Sequence, residues 1–141
     1  MTEPSIYDFC IYTIAHTDKL NDIFERKNGK GRLIERKKWA TAQRLLSDSK
    51  RNHKQMYVVF ASAEQTEDLI YWAKLEDIKI EADGNNDLAT TYRFSGLTPF
   101  STPLPKKSFL VLKSNGRSIS TGFIRPYAIC RTPSFLLDEI K

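Results

Sequence analysis

Residues 55–61, QMYVVFA, constrain the fold more than any other part of the chain. This stretch is almost continuously apolar and bounded by polar residues. A strand without alternation between apolar and polar positions is typical of burial on both faces. We therefore expect a central strand here, with other layers of the protein packed on each side of it.

The flanking sequence predicts further strands and three helices. Runs rich in β-branched and aromatic residues predict strands at residues 5–15, 69–80, 88–94, 109–113 and 123–130. Helical spacing and capping residues predict helices from Thr17 to Asn28, over Arg36–Ser49 and after Thr132-Pro133. No repeat or linker divides the chain. We expect one domain over residues 1–141, with an α+β fold: a small mixed β-barrel of about six strands with two or three flanking helices.

The same pattern predicts the core. Apolar side chains on the predicted strands should be buried, namely Val58, Phe60, Leu75, Leu110 and Ile124. Val59 joins them if its strand is central, because both faces of that strand are then covered.

Charge is segregated along the chain, which the formal net charge of +5 understates. Residues 26–54 carry eleven Lys or Arg against Glu35 and Asp48, whereas residues 63–88 carry eight acidic residues against two lysines. A basic face opposite an acidic face would produce this distribution. The basic face favours a polyanion such as DNA or RNA, because neutralising phosphates releases counterions. The alternative is a lysine-rich surface that serves only solubility.

Candidate phosphate contacts follow from the basic segment. They are the cationic residues Arg32, Arg36, Lys37, Lys38 and Arg44.

Three segments share a pattern with a known superfamily. An aromatic, Arg-bearing segment, KWATAQRLL at 38–46, precedes the strand MYVVFAS at 56–62, and YWAKL follows at 71–75. This pattern resembles the PUA-like superfamily, in particular its EVE and YTH branches. The resemblance implies a small mixed β-barrel that takes a flipped or modified nucleobase into an aromatic-lined pocket. Trp72 stands where those branches commonly have glycine, so its bulk would fill or reshape that pocket.

A base removed from its stack needs aromatic rings on its faces and a polar group at its edge. Trp39, Tyr71 and Trp72 are the candidate rings, and Ser62 is the candidate edge reader. Tyr71 and Trp72 are adjacent on a predicted strand, so at most one of them can face a given pocket. The alternative for Trp39 is packing in the core, which is where most aromatic side chains lie.

Two further features have more than one interpretation. Asn28-Gly29-Lys30-Gly31-Arg32 could cradle a phosphate, but it lacks the spacing of a P-loop, and we interpret it as a helix cap and loop. Arg125 lies in an apolar run before a proline and needs a partner. It either pairs with the acidic segment or forms an anion site at the end of the barrel.

Catalytic and metal motifs are absent from the sequence, and we expect no cofactor and no catalytic residue. Cys10 and Cys130 are expected to be buried free thiols, in keeping with a cytoplasmic protein. No apolar stretch is long enough to cross a membrane and no secretory leader is expected.

The ASCH branch of the same superfamily offers one alternative function, a hydrolase of acylated nucleosides, for which the candidates are Lys38, Thr41 and Glu67. A protein-interaction domain using the acidic segment is the second alternative.

Overall fold

The structure is a computed structural model that describes residues 4–82, 84, 87–119 and 127–140. Within these residues there are three α-helices: α1 Thr17–Arg26, α2 Ala40–Arg51 and α3 Ser134–Ile140. The strands are β1 Ser5–Ile6, β2 Phe9–Ala15, β3 Gly31–Glu35, β4 Lys54–Gln55, β5 Tyr57–Ser62, β6 Leu69–Ala82, β7 Leu88–Pro99 and β8 Tyr127–Arg131. The predicted α+β class is confirmed.

Six of the strands form one mixed sheet in the order β3-β7-β6-β5-β2-β8. Only β2 and β5 are parallel neighbours; the other pairs in this sheet are antiparallel. β1 and β4 form a separate, short parallel pair.

The predicted closed barrel is wrong. β3 and β8 are the two ends of the sheet, and no pairing joins them within the described ranges. The indole of Trp39 packs between side chains of β8, one end strand, and of β7, the strand next to the other end. It stacks on Tyr92 of β7 at 4.5 Å and on Tyr127 of β8 at 4.7 Å, both measured between ring centroids. Paired strands lie about 4.8 Å apart, whereas the stacked indole separates the side chains of Tyr92 on β7 and Tyr127 on β8.

The sheet separates two hydrophobic cores. One lies under α1 and α2 and contains Ile23, Trp39, Leu46, Phe60 and Phe94 among others. The second lies on the other side of the sheet, under α3 and the segment from residue 100 to 119. The side chains of β5 alternate between the two cores and are all buried, which confirms the prediction made from its continuous apolar run.

The predicted core residues Val58, Val59, Phe60, Leu75 and Leu110 are all buried. Ile124 lies outside the described residues. Trp39 falls within the helix predicted over Arg36–Ser49 and is instead the residue just before α2.

Two elements differ from the prediction. β3 replaces the predicted loop around Gly31, and α2 begins at Ala40 rather than at Arg36. The reason for the later start is a link to β7: the Thr90 hydroxyl donates to the Lys37 carbonyl at 2.7 Å and accepts from the Trp39 N–H at 2.9 Å. These bonds hold the backbone before α2 against the sheet.

The predicted strand at residues 109–113 is also wrong. A 3₁₀ turn covers Lys107–Phe109, and between it and residue 119, where the described stretch ends, the chain forms isolated bridges only, from Val111 to Ser118 and from Leu112 to Cys130. The Leu110 N–H bonds to the Lys107 carbonyl at 3.0 Å, so the chain turns where an extended strand was expected.

Candidate nucleic-acid interface

A groove of about 800 Å³ lies between α1, the start of β3, and strands β6 and β7. Its floor includes Ile23, Gly31 and Phe94. Five cationic side chains line it: Lys19, Lys27, Lys30, Arg32 and Arg93. Two carboxylates, Asp22 and Glu76, line it as well. The groove therefore carries a formal excess of three positive charges.

The sequence of α1 explains how the helix contributes to this groove. Lys19 and Ile23 are four residues apart and follow one face of the helix, and Lys27, four residues further on, is the residue directly after its last turn. The helix ends because Asn28 and Gly29 adopt positive φ angles of 53° and 76°. The Gly29 N–H donates to the Ile23 carbonyl at 3.1 Å, which confirms the predicted glycine cap.

Two glycines fix the loop against β7. The Leu97 N–H donates to the Gly29 carbonyl at 3.1 Å. A Cβ on Gly31 would lie 2.5 Å from the ring of Phe94, closer than packed atoms allow. Glycine at position 31 therefore lets the backbone of β3 lie directly on the aromatic floor of the groove, with Lys30 and Arg32 on either side.

The cations of the groove are poorly neutralised. Lys19, Lys27, Lys30 and Arg32 form no salt bridge with any residue in the described part of the chain. The two carboxylates have other partners: Asp22 pairs with Arg26 at 3.3 Å, and Glu76 accepts a hydrogen bond from the Ser95 hydroxyl.

Carboxylates at the start of the acidic segment, residues 63–88, are engaged away from these cations. Glu67 lies 3.5 Å from the buried Lys107 amine, and Asp68 pairs with Lys106. Glu64 accepts from the Thr17 backbone N–H at 2.9 Å and bonds to His16 at 2.8 Å. These two contacts lower the pKa of Glu64, the backbone N–H having the larger effect.

Arg36, Lys37 and Lys38 are exposed in the connection between β3 and α2. They follow the end of β3 that lies away from Gly31, and they are not among the groove residues. Beside them, burial raises the pKa of Glu35, which the Arg36 N–H and the Lys37 charge partly offset. Arg44 is exposed on α2 and donates to the Thr41 hydroxyl at 3.2 Å.

Trp39 lies in the core, with none of its surface exposed. Its two stacking partners are tyrosines of the same chain, and its indole Nε1 is buried without a hydrogen-bond partner. The faces that would stack on a nucleobase are thus occupied by Tyr92 and Tyr127.

The other predicted pocket residues are engaged in packing. Ser62 is buried, and its hydroxyl bonds to the Thr17 hydroxyl at 2.8 Å and accepts from the Glu64 and Gln65 N–H groups at 3.1 Å. The Tyr71 hydroxyl donates to Asn21 at 2.7 Å. Trp72 is half-buried against Tyr57 on the other side of the sheet. The structure therefore does not bring Trp39, Ser62, Tyr71 and Trp72 together around one cavity.

Arg125 lies outside the described residues. The three candidates for hydrolysis are not joined by any hydrogen bond or ion pair within the described chain: Lys38 and Thr41 are exposed, and Glu67 pairs with Lys107.

No group of three metal-ligating side chains is found among the described residues. None of the described helices is long and apolar enough to span a bilayer.

Cys10 and Cys130 are both free and buried, as predicted. They are directly opposite each other in the pairing of β2 with β8. Burial raises the pKa of both thiols, that of Cys130 to about 12, so neither is a reactive thiolate near neutral pH.

Lys19, Lys27, Lys30 and Arg93 line the groove although sequence reasoning did not select them. For Lys19 and Lys27, the sequence signal was their spacing, since each lies four residues from Ile23. A signal for Arg93 was present in the alternation of β7, where Tyr92 and Phe94 are buried and Arg93 is exposed.

Comparisons of the chain with protein-family models, with curated proteins and with solved structures find no significant match.

Proposed function

We propose that this protein binds nucleic acid through the phosphate backbone, in the groove between α1, β3 and β7. The observation that supports the proposal is the set of four groove cations, Lys19, Lys27, Lys30 and Arg32, that form no salt bridge with described residues. Cations that are already paired inside a protein offer little to a ligand, whereas these remain available.

A polyanion gains affinity at such a site because each neutralised phosphate releases condensed counterions. Lysine amines on flexible stems follow a phosphate backbone without reading its bases. The proposal therefore predicts binding that depends strongly on salt and weakly on sequence.

The proposal is limited to backbone recognition. Reading of a modified base needs an accessible ring among Trp39, Tyr71 and Trp72. Trp39 is enclosed between Tyr92 and Tyr127, and the other two rings pack on opposite sides of the sheet. Membership of the PUA-like superfamily is a hypothesis that would agree with nucleic-acid binding, but the charges of the groove support the proposal without it.

The test measures oligonucleotide binding by fluorescence anisotropy over a range of salt concentrations. The groove variant is Lys27→Gln with Lys30→Gln. The matched control is Lys113→Gln with Arg117→Gln, which removes the same charge from an exposed turn beside β8. If both groove lysines contact phosphates, the salt slope of log K falls by about 1.4 on a single strand, or about 1.8 on a duplex, in the groove variant.

The control variant should keep the wild-type salt slope. An equal decrease in both variants would mean that only the overall charge matters. An absence of binding by the wild-type protein at low salt would refute the proposed function.

A further inference from the structure

Arg32 and Arg93 are direct partners in the antiparallel pairing of β3 with β7. Their neighbours Leu33, Tyr92 and Phe94 are buried, so the two arginines lie on the opposite, exposed face of the strands. Opposed residues in an antiparallel pair have Cβ atoms about 4.5–5.5 Å apart. The sheet therefore holds two guanidinium-bearing side chains next to each other at its open edge.

Like charges at directly opposed positions destabilise a sheet. Asp77, which pairs with Arg93 in the next strand, offsets part of this repulsion. Its carboxylate lies 3.5 Å from the Arg93 guanidinium, which is 60% exposed and keeps other N–H donors free. Arg32 forms no salt bridge with any described residue. Among the described residues, Asp77 is the one acidic side chain in a salt bridge with either arginine, and it pairs with Arg93, so Arg32 is left without an ionic partner at the edge.

Both arginines line two adjoining depressions. They border the groove described above and also a smaller cavity of about 180 Å³, which Asp77, Lys79, Glu81 and Thr91 complete. An anion between the two guanidinium groups would be reached from the groove, which Lys30 also lines.

We propose that Arg32 and Arg93 together hold one phosphate group, as a two-armed clamp at the edge of the sheet. This inference rests on the proposed function, because the phosphate it assigns is one of the nucleic-acid backbone. Planar guanidinium groups suit the site since each can donate two parallel hydrogen bonds to a phosphate. Binding would also relieve the repulsion between the arginines.

The clamp predicts that the two arginines share a single phosphate. The test measures the salt slope of log K for binding to an oligonucleotide of about 12 nucleotides. It compares Arg32→Gln, Arg93→Gln and the double variant. Either single variant should nearly keep the wild-type slope, since one cation remains at the phosphate. The slope of the double variant should fall by about 0.7, the equivalent of one phosphate on a single strand.

Arg32→Lys with Arg93→Lys keeps both charges and serves as the conservative control. It should keep the slope but bind more weakly, because an amine cannot donate the parallel pair of hydrogen bonds. Decreases of about 0.7 in each single variant and about 1.4 in the double variant would place the arginines on separate phosphates and overturn the clamp. An unchanged slope in the double variant would also overturn the clamp. If the Lys27→Gln, Lys30→Gln variant still lowers the slope in that case, the proposed function stands.

Inorganic phosphate tests the clamp separately from nucleic-acid binding. At equal ionic strength, replacing chloride by about 10 mM phosphate should raise the Tm of the wild-type protein by about 2 °C more than that of the double variant. This result without any oligonucleotide binding would support an anion site and refute the nucleic-acid assignment. Equal shifts in the two proteins would overturn the clamp even if oligonucleotides bind.

Discussion

The two halves of the six-stranded sheet differ in how many of their faces are covered. In the half formed by β5, β2 and β8, side chains on both faces reach one of the two hydrophobic cores. In the half formed by β3, β7 and the outer part of β6, buried and exposed positions alternate. The first half is enclosed, and the second half presents one charged face to solvent.

Under the proposed function, this difference separates the residues that stabilise the fold from those that would bind the ligand. The enclosed half contains most of the fully buried strand residues, and nothing charged from the groove lies on it. The half-covered part holds Arg32 and Arg93 and borders α1, whose lysines complete the groove. Substitutions in the enclosed half should act on folding, and substitutions on the open face should act on binding.

The largest expected effect is on a core residue of the enclosed half. Phe60 of β5 is fully buried and packs edge-on against Phe94, with 5.2 Å between ring centroids. Phe60→Ala should lower the free energy of unfolding by about 3–5 kcal/mol, because it removes apolar packing and leaves a cavity. Urea denaturation measures the change.

The matched control lies on the open face. Ile34 of β3 is 71% exposed, so Ile34→Ala should change the free energy of unfolding by less than about 0.5 kcal/mol. Similar decreases in the two variants would show that the halves do not differ in the way that their burial indicates.

An intermediate effect is expected at alkaline pH. Burial raises the pKa of Tyr12, on β2, to about 12 from its ordinary value of 10.0. As the pH rises above 10.0, the unfolded chain releases this proton before the folded protein does, so stability falls until the pH passes about 12. The destabilisation from this tyrosine approaches about 1.4 kcal/mol per pH unit within that interval.

Tyr12→Phe tests the assignment. The variant should show a shallower decrease of stability between pH 10.0 and about 12 than the wild-type protein, whatever its stability at neutral pH. Parallel curves for the two proteins would mean that other buried phenols and thiols account for the alkaline destabilisation.

The smallest expected effect concerns the exposed connection after β3. Replacing Arg36, Lys37 and Lys38 by alanine should change stability by less than about 0.5 kcal/mol, since all three side chains are exposed. We predict that these residues, like Arg44, bind phosphates, so the triple variant should lower the salt slope by about 0.9 for each duplex DNA phosphate that it no longer neutralises. An unchanged slope would confine the interface to the groove.

Much of the fold could be predicted from local patterns. The apolar run at residues 55–61 predicted β5 and its burial on both faces, and the glycine at position 29 predicted the end of α1. Both follow from interactions within a few residues. The short strand β3 could not be predicted in this way, because its formation depends on pairing with β7, some 60 residues further along the chain.

The candidate site likewise has features that the sequence predicts and features that depend on long-range packing. The sequence alone determined that cations are concentrated at residues 26–54 and that acidic residues follow them. Only the tertiary structure decided which cations are neutralised: Lys106, Lys107 and Arg93 pair with the acidic segment, and Lys19, Lys27, Lys30 and Arg32 do not. The physical reason is distance. Charge is counted along the chain, but an ion pair requires two groups within about 4 Å, and long-range packing brings them that close.

The aromatic residues give the converse case. The resemblance to the PUA-like superfamily implies an aromatic-lined base pocket, and Trp39, beside the basic segment, was a candidate ring for it. Whether its faces are free depends on what the fold puts against them. Here β7 and β8 bring Tyr92 and Tyr127 onto the indole, so that its faces are covered by residues of the same chain.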